Sequence, residues 1–365
     1  MADLFDYLTW RGDLTMEQAP FNEIDGMILA RFAYTPFEYF AEPLPKGFVT
    51  IRDLAAAAME DAALRTQERW RLRDSELLPA LADTRRFGDL ELGFFSCKLD
   101  EVIQTQFAAI TVRLSEELTA MVFRGTDNTV VGWKEDMNMS FRCPVPGQEL
   151  AVGYVRRIAE KMDGRLILCG HSKGGNLAVY AGAFCGGDVQ RRIDAVYNYD
   201  GPGFYGDILE TMGYRGISGR IHTYVPQFSV VGMLLSHRHA PMVVHSTESG
   251  LGQHDVYSWE VLGPAFVCLE AVTGGSEFVS GTIREWTEDM TPEQFEQFAD
   301  VIYTVLTDTS FRTMHEMKEN WFDTARSFVR SVADMDEQTR DAAMEALKLL
   351  ARSAGREAKE VLSGV

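Results

Sequence analysis

The chain has 365 residues, enough for one large α/β domain with additions or for two domains, and enough to bury a substantial core. Its 54 acidic against 35 basic residues give a net charge of −19, which repels phosphate backbones and anionic membrane surfaces and argues against a nucleic-acid partner. Five cysteines, Cys97, Cys143, Cys169, Cys185 and Cys268, are odd in number and widely spaced, so neither a disulfide framework nor a zinc site is expected.

The first residues are acidic where a secretory signal would be basic, and no long uncharged apolar run follows; the expectation is a cytoplasmic protein without stable membrane insertion. Residues 1–88 read as a helical segment, a cap or packing layer, broken by prolines at 43 and 45 and containing an alanine-rich helical stretch from Ile51 to Arg71. From about Leu90 the pattern becomes β-rich, with neighbouring strands at 106–114 and 118–124. A helix around Glu149 to Lys161 comes next, then an apolar strand from Arg165, a small-residue helix from Gly175 and a strand over Ile193 to Tyr199. Further strands fall at Ile221 to Pro226 and Pro241 to His245. Strands alternating with helices predict parallel pairing with right-handed crossovers and helices on both faces, over a core of residues 89–288. From Asp289 the pattern is helical. Thr291 is an N-cap, Pro292 stands at the first helical position and Gln294 in the capping-box place; two more helices run from Arg312 to Ala333 and from Asp336 to Val361. Charges interrupt each of them, so residues 289–365 read as a packed appendage rather than a membrane anchor.

The chemistry is concentrated at residues 170–175, Gly-His-Ser-Lys-Gly-Gly, between the apolar strand and the small-residue helix. That order of elements puts the Ser172 hydroxyl on a sharp strand-to-helix bend, with a helix N-terminus aimed at the reacting centre. A serine hydroxyl needs a base, and six of the seven histidines fit that role less well than His254. His171 adjoins the serine and should diverge from it, in a packing or loop role; His222 lies inside a strand; His237 and His239 read as a solvated loop; His315 belongs to the C-terminal helices. His245 is the reserve. His254 stands in a glycine-bearing loop after the last strands, where this arrangement places its base. The carboxylate behind the base comes between serine and histidine in chain order, and Asp200, leaving a strand end into Gly-Pro-Gly, fits. Asp255 adjoins His254 and is badly placed to bond its ring. Oxyanion donors are expected from the main-chain N–H of Lys173 and from the loop 123–127, where Gly125 permits close approach and Thr126 offers its N–H and its hydroxyl. Asp136 reads as a brace for that loop or as an exposed helix-face acid. The Lys173 side chain reads as a cation that attracts an anionic substrate group or lies in solvent.

Phe123-Arg-Gly-Thr, the Ser172 elbow and Asp200-Gly-Pro-Gly resemble the class 3 lipase branch of the α/β-hydrolase superfamily. More closely, Gln106-Phe-Ala-Ala, residues 123–136, residues 225–234 and Gln253-His-Asp resemble a bacterial Mbeg-like hydrolase family of unknown function, from Phe21 to about Trp259. The resemblance implies an α/β-hydrolase fold, a mostly parallel central sheet flanked by helices. It implies roles for Thr126 as oxyanion donor, Ser172 as nucleophile and His254 as base. The sequence departs from the class 3 pattern after the next strand, where Ser229 occupies the usual acid position and the acid role shifts to Asp200. The expected activity is hydrolysis of a carboxylic ester or thioester of a small or lipid-like acyl group, without a cofactor or metal. The rival expectation is an inactive hydrolase fold serving as a binding or scaffold module, with the C-terminal helices as partner surface.

Overall fold

The computed structural model describes residues 1–39, 47–60, 72–127 and 129–274. The helices expected from Asp289 onward, His315 with them, and the part of the alanine-rich stretch beyond residue 60 lie outside the described residues.

The N-terminal segment contains α1 (Leu4–Arg11), α2 (Glu23–Phe32), the short strand β1 (Phe48–Thr50), α3 (Ile51–Glu60) and α4 (Leu72–Ala82). Helices α1 and α2 open on capping boxes, Asp3 with Asp6 and Asn22 with Asp25, which satisfy N–H groups that the first turn leaves without acceptors. Among these helices the short strand Phe48–Thr50 pairs antiparallel with the next strand and extends the sheet at its edge. Two buried ion pairs knit the layer together: Arg31 with Asp74, and Arg86 with Asp25.

The remaining elements are β2 (Glu91–Asp100), β3 (Thr105–Arg113), β4 (Leu118–Phe123), α5 (Val130–Asn138), α6 (Pro146–Ala159), β5 (Arg165–His171), α7 (Lys173–Phe184), α8 (Gly187–Gln190), β6 (Ile193–Tyr199), α9 (Met212–Ile217), β7 (Ile221–Pro226), β8 (Met242–Val244), β9 (Val261–Leu262), β10 (Ala265–Phe266) and β11 (Cys268–Leu269). Nine strands form one sheet in the order β1-β2-β3-β4-β5-β6-β7-β8-β11. The stretch from β4 to β8 is continuously parallel; β1 to β4 form an antiparallel flank, and β11 closes the far edge antiparallel to β8.

Both faces of this sheet are covered, which is why its strands read as unbroken apolar runs. In β4 and β5, Ala120, Val122, Ile167 and Cys169 point to one face, packed with α1 to α4. Met121, Phe123, Leu166 and Leu168 point to the other, under α6, α7 and α9. Helices α1 to α4 therefore cover one face of the central sheet. Ile24, Ile28 and Leu29 of α2 are fully buried in the same cluster as Ile167 and Tyr199.

Candidate active site

The loops that leave the ends of β4, β5, β6 and β8 converge at one edge of the parallel stretch. Ser172 follows β5 directly, with φ 58° and ψ −134°, a conformation that costs a side-chain-bearing residue energy and persists only where its surroundings enforce it. They do so here. The Ser172 N–H donates to Tyr199 O at 2.9 Å, tying the bend to β6, while the Ser172 carbonyl accepts from Gly175 N at 2.9 Å and caps α7. The helix thus begins at Lys173, two residues earlier than Gly175, because the serine itself is the cap. Gly174 is required at the turn: a Cβ there would overlap the Phe123 carbonyl of β4.

As the first residue of α7, Lys173 has a main-chain N–H without an intrahelical acceptor. The loop after β4 packs against the elbow so closely that a Cβ on Gly125 would overlap the His171 carbonyl and the Tyr34 hydroxyl. Thr126 follows. Its hydroxyl donates to the Asp136 carboxylate, so the expectation that Thr126 offers both groups is corrected: the single hydroxyl proton is committed, and the N–H is left. Burial pushes the Asp136 carboxyl up to about 6, against the pull of Lys173 and of the Thr126 hydrogen bond.

The Lys173 side chain neither meets solvent nor points toward a substrate. It is buried, with Nζ donating to Gln106 O (2.8 Å), Gln106 Oε1 (2.8 Å) and Glu135 Oε2 (2.9 Å). Glu135 in turn accepts from Thr105 Oγ1, Gln106 N and Gly147 N, so every charge in this cluster has hydrogen-bond partners. Desolvation opposes the ammonium, but the Glu135 and Asp136 carboxylates outweigh it and hold the Lys173 pKa above its usual value.

Asp200 follows β6 and also has a positive φ, 50°, with its N–H donating to Tyr224 O at 2.8 Å. Its carboxylate is fully buried and divided between two duties. Oδ1 accepts from Ser229 Oγ and from Gly232 N (3.2 Å), and Oδ2 lies 2.6 Å from His254 Nδ1. His254 closes a short 3-10 turn, Gly250–His254, and its side chain is 30% exposed. A carboxylate at Nδ1 keeps the proton on that nitrogen and leaves Nε2 with its lone pair, the tautomer a general base needs. No hydrogen bond joins Ser172 Oγ to His254 Nε2 among the described residues; such bonds commonly tighten only around a bound substrate.

The other candidates are occupied elsewhere. His245 Nδ1 faces Glu260 Oε2 at 2.7 Å, His222 stacks on Tyr197 with its pKa lowered by burial, and Asp255 accepts from Tyr257 N. His237 departs from the solvated loop expected for it: burial lowers its pKa and its Nε2 is shielded. Ser229, expected from the sequence in the acid position of the class 3 pattern, donates a hydrogen bond to Asp200, which follows the preceding strand. The sequence held no short-range signal for that pairing, which spans 29 residues.

A family model described as Mbeg1-like matches residues 81–304. The chain belongs to the Mbeg1-like family. No curated protein matches it. Among solved structures, M37 lipase is 14% identical with a TM-score of 0.37, covering 64% of this chain and 76% of its own. The Rhizomucor miehei lipase propeptide complex is 15% identical with a TM-score of 0.36, covering 61% of this chain and 68% of its own. The family model begins at residue 81, so the layer that covers one face of the sheet lies almost entirely outside it.

Proposed function

We propose that this Mbeg1-like protein is a serine hydrolase, lipase- or esterase-like, that cleaves a carboxylic ester or thioester through an acyl-enzyme on Ser172. The observation that carries the reading is the 2.6 Å contact between buried Asp200 and His254 Nδ1, at the same sheet edge as a serine held at positive φ on a strand-to-helix bend. His254 Nε2 takes the Ser172 proton as Oγ attacks the carbonyl carbon. The N–H groups of Thr126 and Lys173 stabilise the oxyanion, a contribution of about 3–4 kcal/mol per donor. Collapse expels the alkoxide or thiolate, which receives the proton from His254. Water, deprotonated by the same imidazole, then releases the acid and restores Ser172. Asp200 holds the imidazole tautomer and stabilises the imidazolium.

The same reading takes a small or lipid-like acyl ester as substrate and assigns no step to a cofactor. The charge of −19 and the scattered cysteines support a cytoplasmic protein that does not bind nucleic acid. Among the described residues no helix is long and apolar enough to cross a membrane. The division at residues 88 and 288 and a partner surface on residues 289–365 belong to this proposal. A serine in place of a carboxylate at position 229 favours the rival scaffold reading, but with Ser229 donating to Asp200 that feature fits the hydrolase equally well. Hydrolysis of a panel of p-nitrophenyl esters and acyl thioesters tests the proposal. Ser172→Ala should lower turnover at least roughly ten-thousandfold, and equal turnover by both proteins would refute it.

A further inference from the structure

The mechanism leaves His171, the residue before the nucleophile, without a task, yet it touches the base in two ways. Its Nε2 lies 2.8 Å from the main-chain oxygen of His254, and its ring centroid lies 4.6 Å from the His254 ring, tilted by 36°. On its other side, Nδ1 lies 3.1 Å from the Tyr34 hydroxyl. A carbonyl has no proton to give, so Nε2 carries the hydrogen; when Nδ1 carries none it accepts from the Tyr34 hydroxyl, which also lies 3.4 Å from the His171 carbonyl. Tyr34 is itself held from the N-terminal layer. The Arg31 guanidinium stands 4.5 Å over its ring, Arg31 bonds Asp74 through two nitrogens, and the Tyr257 hydroxyl donates to Asp74 at 2.9 Å.

We propose that His171 is a positioning residue for the base: anchored by Tyr34, it fixes the main chain and the inner ring face of His254, keeping Nδ1 on Asp200. The proposal rests on the hydrolase reading and deepens it, because it makes the covering layer part of the site. Loop residues move unless tied down, and His254 sits in a loop. Its neighbour Gln253 is tied by Phe228 N to Oε1 and by Trp259 Nε1 to its carbonyl, both at 2.8 Å. Those bonds hold residue 253, and Asp255 N donates to Gly252 O at 3.1 Å; the 254 carbonyl itself takes its hydrogen bond from His171. A misplacement near 1 Å is enough to slow chemistry roughly a hundredfold.

The test uses the full chain and two replacements. His171→Phe keeps a flat ring without a donor, while His171→Gln places an amide N–H where Nε2–H was. Fluorophosphonate labelling of Ser172 should slow roughly 10- to 100-fold in His171→Phe and recover most of that loss in His171→Gln, at equal melting temperatures. Tyr34→Phe should slow labelling less, and add nothing to His171→Phe in a double-mutant cycle. Wild-type labelling rates in His171→Phe, or equal slowing in both replacements, would overturn the proposal. Amide exchange over residues 252–256, measured in the Ser172→Ala background, reads the contact without any catalysis. It should quicken in His171→Phe and not in His171→Gln, and unchanged exchange in His171→Phe would also overturn it. Failure of the wild type to label at Ser172 would instead count against the hydrolase reading.

Discussion

Asp200 joins two distant loops of the chain: Ser229 and Gly232 on one oxygen, His254 on the other. Replacing it with Asn keeps the shape and reverses the chemistry at one point, because an amide nitrogen facing His254 would force the proton onto Nε2. Asp200→Asn should therefore lower ester turnover by roughly ten-thousandfold with little change in substrate affinity, as read from kcat and KM separately. A pH-dependent consequence attaches to Asp136. Its carboxyl is pushed up to about 6 in the folded chain, chiefly by burial, so between the ordinary carboxylate range and 6 the folded state holds a proton that the unfolded chain has released. Stability from this group is full below about pH 4 and falls as pH rises through 6. Asp136→Asn should flatten that part of the curve, measured as urea midpoints at pH 4.5, 5.5, 6.5 and 7.5. A decline as steep as in the wild type would assign it to other groups.

Four elements are bolted together beneath the elbow. Helix α7 sends the Lys173 side chain down to Gln106 on β3 and Glu135 on α5, and Glu135 reaches Gly147 at the start of α6. Glu135→Gln would leave the buried ammonium with Asp136 Oδ1, 3.9 Å away, in place of its hydrogen-bonded counter-charge; breaking a buried pair costs about 3–5 kcal/mol, and urea unfolding should show a loss approaching that size. A loss below 1 kcal/mol would mean the pair is dispensable. The same cluster marks the limit of what the sequence reveals. The Ser172 bend was legible because its signal is local: glycines, an apolar strand and small helical residues within a dozen positions. The nearness of Asp200 to His254 followed from chain order and strand ends. The fate of the Lys173 ammonium depended on a carboxylate 38 residues away, and the contact of His171 with the His254 carbonyl spans 83. No periodicity encodes such meetings. Strand β1, three residues long, was hidden for a related reason: it exists only because β2 offers it an edge.

The central sheet carries two continuous apolar faces and needs both of its layers. The N-terminal helices supply one of them, and with it Tyr34, whose hydroxyl meets the elbow and the loop after β4 together. The strands β4 to β8 then present their loops at one edge, as ligand sites in open parallel sheets do. Serine, imidazole and carboxylate arrive there from three separate loops, and everything proposed for the chain depends on Ser172 becoming acylated or phosphonylated with help from His254. Intact-mass analysis after treatment with a fluorophosphonate measures this most directly. One adduct per chain, mapped to the peptide containing Ser172, lost in Ser172→Ala and greatly slowed in His254→Ala, is the expected result. An unmodified wild type, or an adduct that persists in Ser172→Ala, would contradict it.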